Sequence, residues 1–112
     1  MLRTGIDLIH IPSFEKKLAK AGVKERLFHK SEQKNSDITH LAGIIAAKEA
    51  FFKAIDHPVK WLDVEVTYTK SKRPKLQVAD HYAREITDLD LSIAHDKDYA
   101  IAHVVIHIGT TP

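Results

Sequence analysis

Four polar residues carry the chemistry open to this chain: Asp7, Glu49, Lys53 and His95. Glu49 and Lys53, together with Lys48, interrupt an otherwise apolar run from Leu41 to Ile55, LAGIIAAKEAFFKAI. That interruption needs a reason. If the reason is chemical, the glutamate requires a second carboxylate elsewhere in the chain with which to share a cation, and Asp7 is the best candidate. Such a pair suits a hard cation such as magnesium, which prefers oxygen ligands, keeps several waters and commonly takes one or two protein carboxylates with substrate phosphates completing its shell. Lys48 and Lys53 would neutralise those phosphates, and His95 would position or deprotonate a nucleophile. Each residue also has a plainer explanation. Glu49 and Lys53 form an i, i+4 pair that stabilises a helix by a few tenths of a kcal/mol; a lone Asp beside a Gly is usually structural, and a His ending a strand is usually exposed or satisfied.

The elements that must position these side chains follow from pattern. Leu2 to Ile11 reads as a partly buried strand, with Gly5 permitting a bulge or the close approach of another group. Pro12 and Ser13 start a helix, Ser13 serving as N-cap and Gly22 ending it. A second short helix over Val23 to Phe28 and a polar stretch from His29 to Ser36 lead to Asp37, the N-cap of the long helix through Leu41 to Ile55. At 100° per residue, Leu41, Ile44, Ile45, Phe51, Phe52 and Ile55 share one face. Lys48 falls inside that arc, where it must snorkel, pair with a carboxylate or border a polar cavity, and its place there implies a polar cavity or a subunit interface against that face. Leu62, Val64, Val66 and Tyr68 alternate with polar residues as a half-buried strand, and Lys75 to Val78 returns after a turn at Ser71 to Pro74. Ala79 to Ile86 forms a short helix. Leu89 to His95 and Tyr99 to Ile108 form a second hairpin across Asp96, Lys97 and Asp98. One strand, then helices, then hairpins gives an α+β domain, with one long central helix packed on an antiparallel sheet of hairpins.

Composition bounds the function. The 112 residues, 44% hydrophobic and 29% charged, suit one globular domain over residues 1 to 112. The absence of cysteine excludes disulfides and thiolate-bound zinc. No long apolar core follows a basic start, so neither a signal peptide nor a membrane span is expected and the cytoplasm is the expected compartment. A net charge of +2 gives no argument for nucleic acid. Charge is nevertheless uneven: Lys16, Lys17, Lys20, Lys24, Arg26, Lys30 and Lys34 stand against Glu25 and Glu32, an excess that either steers an acidic partner or forms a solvated helical face.

Three segments, GIDLIHI at Gly5 to Ile11, LAGIIAAKEAFFKAI at Leu41 to Ile55 and LSIAHDKDYAIAHVVI at Leu91 to Ile106, resemble in order and spacing the signatures of the holo-acyl-carrier-protein synthases, the small phosphopantetheinyl transferases. LDVEV at Leu62 to Val66 and RPKLQV at Arg73 to Val78 fit the same family, and Gly22 to His40 is the least similar part. The resemblance implies the phosphopantetheinyl transferase fold and a magnesium-dependent transfer of 4′-phosphopantetheine from coenzyme A to a serine of an acyl carrier protein, releasing adenosine 3′,5′-bisphosphate. Asp7 and Glu49 match the metal ligands, Lys53 the phosphate-contacting lysine, and His95 a histidine near the coenzyme A phosphates. Lys48, Arg73 and Pro74 join Lys53 and His95 as candidate coenzyme A contacts. Lys16, Lys17, Lys20, Lys24 and Arg26 become candidates for docking the carrier. Members of this family are typically homotrimers with active sites between protomers.

The chain also departs from that pattern. Ile44 and Ile45 stand where the family usually has Arg-Phe, Asp56, His57 and Pro58 replace a glycine-rich loop, Lys72, Arg73 and Pro74 replace Gly-Lys-Pro, and Ser13 replaces a carrier-docking arginine. These departures motivate an alternative: a trimeric binding or assembly domain that keeps the fold with weakened catalysis. A histidine metal site, suggested by eight histidines and by His103 and His107 on one face of the last strand, is the weakest reading; four residues is a long span for chelation on a strand.

Overall fold

The computed structural model describes Met1 to Gly109, so the last three residues of the expected domain lie outside the described residues. The chain opens with β1 (Leu2–His10), followed by α1 (Ile11–Leu18), α2 (Val23–Leu27), a 3-10 turn at Lys30–Gln33 and the long helix α3 (Ile38–Ala54). A 3-10 turn at Trp61–Asp63 precedes the hairpin β2 (Val64–Tyr68) and β3 (Pro74–Val78). A single helical turn, α4 (Asp80–Ala83), leads into β4 (Ile86–Asp96) and β5 (Tyr99–Ile108). Among the described residues no helix is long and apolar enough to cross a membrane.

β5 is the centre of a three-stranded antiparallel sheet with β1 on one side and β4 on the other. The register sets Gly5 opposite Val104 and Asp7 opposite Ala102, and sets Ile93 opposite the same Ala102. Alternation then assigns the faces. Ala100, Ala102, Val104 and Ile106 are buried under α3, which packs chiefly on β1 and β5, while Leu2, Ile6, Leu8 and Tyr99 lie exposed on the other side. β2 and β3 form a separate two-stranded ladder.

α3 is the helix expected from Asp37 onward, and the Asp37 side chain accepts from His40 N at 3.2 Å, satisfying one of the free amides of the first turn. It is buried on nearly every side rather than along one arc. Of the two uses open to Gly5, close approach is the one realised: a Cβ built there would stand 1.8 Å from the Ala50 carbonyl oxygen and 3.0 Å from Ala54 N. Only a residue without a side chain lets β1 lie this close to the helix.

Several local expectations are corrected. α1 begins at Ile11 directly from the strand, with His10 in the cap position; Ser13 sits within the first turn, bonded through Oγ to His10 Nδ1 at 2.6 Å. The helix ends at Leu18, and Gly22, at φ 79°, instead precedes α2. Leu62 belongs to the 3-10 turn and is 48% exposed, so the strand alternation starts only at Val64. The short helix expected over Ala79 to Ile86 is helical only through Asp80–Ala83, because Ile86 already pairs with Ile108.

Lys48 takes the carboxylate partner rather than a polar cavity: its Nζ donates to Glu32 Oε1 and to Leu27 O, both at 2.7 Å, and both ionic side chains are 0% exposed. Glu32 also accepts from His29 N and Val66 N, each at 2.8 Å. A buried cation survives only where a carboxylate and further hydrogen bonds replace its water. Burial pulls the Lys48 pKa down and Glu32 pulls it back up.

Gly5→Ala is expected to cost about 3 kcal/mol or more, the upper range for overpacking, because the clash is with helix backbone that cannot rotate away. Urea denaturation of the variant tests this, and a wild-type midpoint would show that β1 and α3 are not held at this distance.

Candidate functional site

Asp7 follows Gly5 by two residues on the same strand, so it faces α3, where it meets Lys53: Nζ donates to Asp7 Oδ1 and to Ile6 O, both at 3.0 Å. Asp7 is buried, whereas 58% of the Lys53 side chain is exposed, leaving the ammonium at the rim of a surface site. Asp7 Oδ2 is buried and has no hydrogen-bond partner. A carboxylate oxygen in that state is costly unless a proton on a neighbouring acid or a bound cation occupies its lone pairs.

Glu49 completes the group. Its carboxyl is pushed up to about 7, first by burial and then by the adjacent Asp7, with Lys53 and Lys17 opposing. Two acids held together raise each other's cost of ionisation, and a cation between them removes it. A hard divalent cation therefore fits this donor set. Among the described residues no three or more His, Cys, Asp or Glu side chains converge, so the protein offers a pair of carboxylates, a number that magnesium commonly uses.

Two depressions flank Glu49. One, of about 450 Å³, is an apolar cleft between α1, α2 and α3 with Phe14, Leu27, Ile45 and Trp61 in its wall and Lys17 and His10 among its polar residues. The other, of about 430 Å³, lies beyond the end of α3 and is lined by Glu49, Lys53, Asp56, His57 and Pro58.

The remaining expected site residues lie elsewhere. His95 pairs with Ala100, which pairs with Ile9, so it occupies the far strand of the sheet, two strand spacings or about 10 Å from β1. It lines a hollow with His40, Tyr68, Lys72 and Pro74 at the start of α3. That hollow lies at the start of α3, whereas Asp7 meets the helix near its other end, at Lys53. Arg73 reaches Asp90, its Nη2 at 2.9 and 3.0 Å from the two carboxylate oxygens. Lys48, expected among the coenzyme A contacts, is enclosed in the core with Glu32 and presents no donor to the surface. Of the docking candidates, Lys16, Lys17, Lys20 and Arg26 are exposed and Lys24 is half-buried; Lys17 alone among them lines the apolar cleft. Glu32, hidden in a stretch read as merely polar, went unassigned; the signal was the demand of Lys48 for a carboxylate.

The 4′-phosphopantetheinyl transferase superfamily model matches residues 3–104. A holo-acyl-carrier-protein synthase of Shouchella clausii is 39% identical over 114 residues, covering 91% of this chain and 94% of the relative, and one of Alkaliphilus metalliredigens is 32% identical over 115 residues, covering 90% and 94%. The chain belongs to the holo-acyl-carrier-protein synthase family of 4′-phosphopantetheinyl transferases. The fold is that of the solved synthases: the Chronobacterium ammoniagenes enzyme in complex with CoA superposes with a TM-score of 0.84 at 34% identity, covering 98% of this chain and 99% of that one. The Helicobacter pylori synthase in complex with coenzyme A gives 0.85 at 30% identity, covering 93% and 99%.

The raised carboxyl of this synthase-family chain has a sign to its pH dependence. Folded Glu49 holds its proton up to about pH 7, whereas in the unfolded chain the carboxyl releases it near its ordinary value of 4.5. The folded state therefore binds more protons across that window, and stability falls as pH rises from about 4.5 to 7. In chelator, Glu49→Gln is expected to flatten this segment of a urea-midpoint profile. An unchanged slope would show that Glu49 is not strained by Asp7.

Proposed function

We propose that the protein transfers 4′-phosphopantetheine from coenzyme A to a serine hydroxyl of an acyl carrier protein, as a holo-acyl-carrier-protein synthase of the cytoplasm. The observation that carries this reading is the buried, unpartnered Asp7 Oδ2 beside Glu49 and under Lys53. That arrangement is built for a cation and a phosphate group, and it coincides with family membership over nearly the whole chain.

The reaction forms a bond from the serine oxygen to the pantetheine-side phosphorus and breaks the bond from that phosphorus to adenosine 3′,5′-bisphosphate. Asp7 and Glu49 would hold magnesium. When bound, the ion supplies charge neutralisation at the phosphates and lowers the barrier to serine attack. Lys53, anchored by Ile6 O and Asp7 and still largely exposed, presents a positioned ammonium to the transferring phosphate, where charge builds in the transition state. The apolar cleft beside Glu49, with Lys17 in its lining and Lys16 on α1, Lys20 in the link and Arg26 on α2 all exposed, suits an acidic carrier with an apolar anchor residue.

His95 with Pro74 forms a second half-site at the opposite end of α3 from the first. A homotrimer, in which His95 of one protomer meets Asp7 of the next, reconciles this separation with the proposed chemistry. The uncovered face of the sheet supports assembly: Leu2, Ile6 and Leu8 are 60%, 56% and 59% exposed in a single column. His103 and His107 share this face, opposite Ile6 and Leu2. The weakened-catalysis alternative draws on Ile44, which is fully buried where a cation was expected, and on Ser13, whose hydroxyl is bonded to His10.

Incubation with coenzyme A, magnesium and a panel of apo carrier proteins is expected to add one phosphopantetheine group, read by mass spectrometry. Asp7→Ala, Glu49→Ala and Lys53→Ala should each lower the rate by about 100-fold or more while remaining folded. Absence of the increment with every carrier would favour the assembly domain, and full activity in all three variants would sink the site. Light scattering should give a mass about three times the 12.7 kDa chain; a monomer with full activity would refute sites shared between protomers.

A further inference from the structure

The groove beyond the end of α3 must bind its ligand without backbone amides. α3 ends in a tight reversal in which Asp56 adopts φ 56°, Asp56 N donates to Lys53 O at 3.2 Å and His57 N donates to Phe52 O at 3.0 Å. This is the double capping bond that closes a helix, usually built with glycine at the left-handed position. It engages the first two amides of the segment, and Pro58 has none to offer. The loop therefore cannot cradle an anion through successive N–H groups as a glycine-rich turn would.

Side chains remain. Lys53 and His57 both line this groove, with Glu49, Asp56 and Pro58. The His57 ring is held in place: Nδ1 lies 2.6 Å from Pro58 O, and the ring packs at 5.9 Å from Phe52 and 5.5 Å from Tyr82. A carbonyl only accepts, so Nδ1 carries a proton, and Nε2 is the nitrogen left for a ligand. The other ionisable groups around the ring are Glu49 and Lys53 on α3, Asp56 beside it, and His81, Tyr82 and Glu85 at and just beyond α4. Tyr82 stays neutral, its pKa pushed up to about 12 by burial and by Asp63, to which its hydroxyl donates at 2.8 Å.

We propose that His57, donating from Nε2 as the imidazolium, is the second cationic contact beside Lys53 for the phosphate groups of coenzyme A, a side chain standing in for an amide cradle. It is a binding residue of the donor substrate and takes no proton from the serine. The inference rests on the transferase reading above.

Calorimetry with coenzyme A and magnesium at pH 6 and pH 8 tests it in wild type, His57→Phe and His57→Lys. The phenylalanine variant keeps the packing on Phe52 and Tyr82 and removes the donor. It is expected to bind about tenfold more weakly than wild type at pH 6, the worth of one charged hydrogen bond. That ratio can only shrink as the pH is raised, since a ring whose Nδ1 donates to Pro58 O donates from Nε2 only when both nitrogens are protonated. His57→Lys should restore the pH 6 affinity. Glu49 and the ligand phosphates titrate in all three proteins, so the ratio isolates His57. A ratio near one at pH 6 would overturn the proposal while leaving the transferase reading intact; no binding of coenzyme A by wild type would overturn both. Should the variants fail to fold, the Nε2 nitrogen shift of His57 in the wild type must move toward its imidazolium value when coenzyme A is added, and an unmoved shift refutes the contact.

Discussion

The approach of β1 to α3 at Gly5 is the constraint on which the rest of the site depends. A strand and a helix normally keep a layer of side chains between them; here the strand backbone lies against the Ala50 carbonyl because neither Gly5 nor Ala50 fills that layer. Asp7 is the next residue on the same face, and Glu49 adjoins Ala50 on the helix. With Lys53 one turn further on, a 3.0 Å contact to Asp7 Oδ1 follows from this proximity and could not survive an extra methyl group between the two elements. The state of Oδ2 is a product of the same closeness: it is buried under the helix with no amide or ammonium bonded to it, and the adjacent Glu49 carboxyl, which keeps its proton there, is the donor that meets Asp7 when no cation is bound.

Helix geometry then separates three neighbouring charges into two roles. Lys53 stands about 40° from Glu49 around the axis, while Lys48 lies about 100° from Glu49 and about 140° from Lys53. Lys48 therefore points to the opposite flank, where it ties α3 to the carbonyl of Leu27 and, through Glu32, to the amide of Val66 on β2. A pair this deeply buried contributes little net stability compared with an apolar replacement. Its value is positional, since Leu27 lines the cleft beside Glu49. One face of the helix supports the proposed chemistry and the other fixes the wall next to it.

How much of this was legible in the sequence depends on how local each signal is. Asp37 as a helix cap, the hairpin around Lys97, and the long helix itself are written in neighbouring residues and stand as expected. Ser13 misled because a cap must sit on extended backbone, and here the strand runs into the helix at His10, one turn earlier. Leu62 continued an alternation that the 3-10 turn before β2 interrupts. The partner of Lys48 was out of reach for another reason. Glu32 sits in a charged stretch with nothing to mark it as buried, and only the tertiary fold carries it across to the helix. Asp7 with Glu49 was recoverable because the unusual placement of charge in an apolar run demanded a partner, and the family resemblance supplied the same pair.

His95 shows the limit of reading a site as a set of motifs. Its side chain and Asp7 both point to the helix-covered face of one sheet, yet they stand on its opposite edge strands, His95 beside the start of α3 and Asp7 beside its end. His40 and Lys53 are thirteen residues apart on that helix, a rise of roughly 20 Å, so the two residues do not meet at one reacting phosphate within a chain. Either His95 has no part in the proposed transfer, or the pocket is completed by another copy. The exposed column of Leu2, Ile6 and Leu8 on the sheet's other face is consistent with the proposed assembly, since removing such a column from water against another copy is favourable.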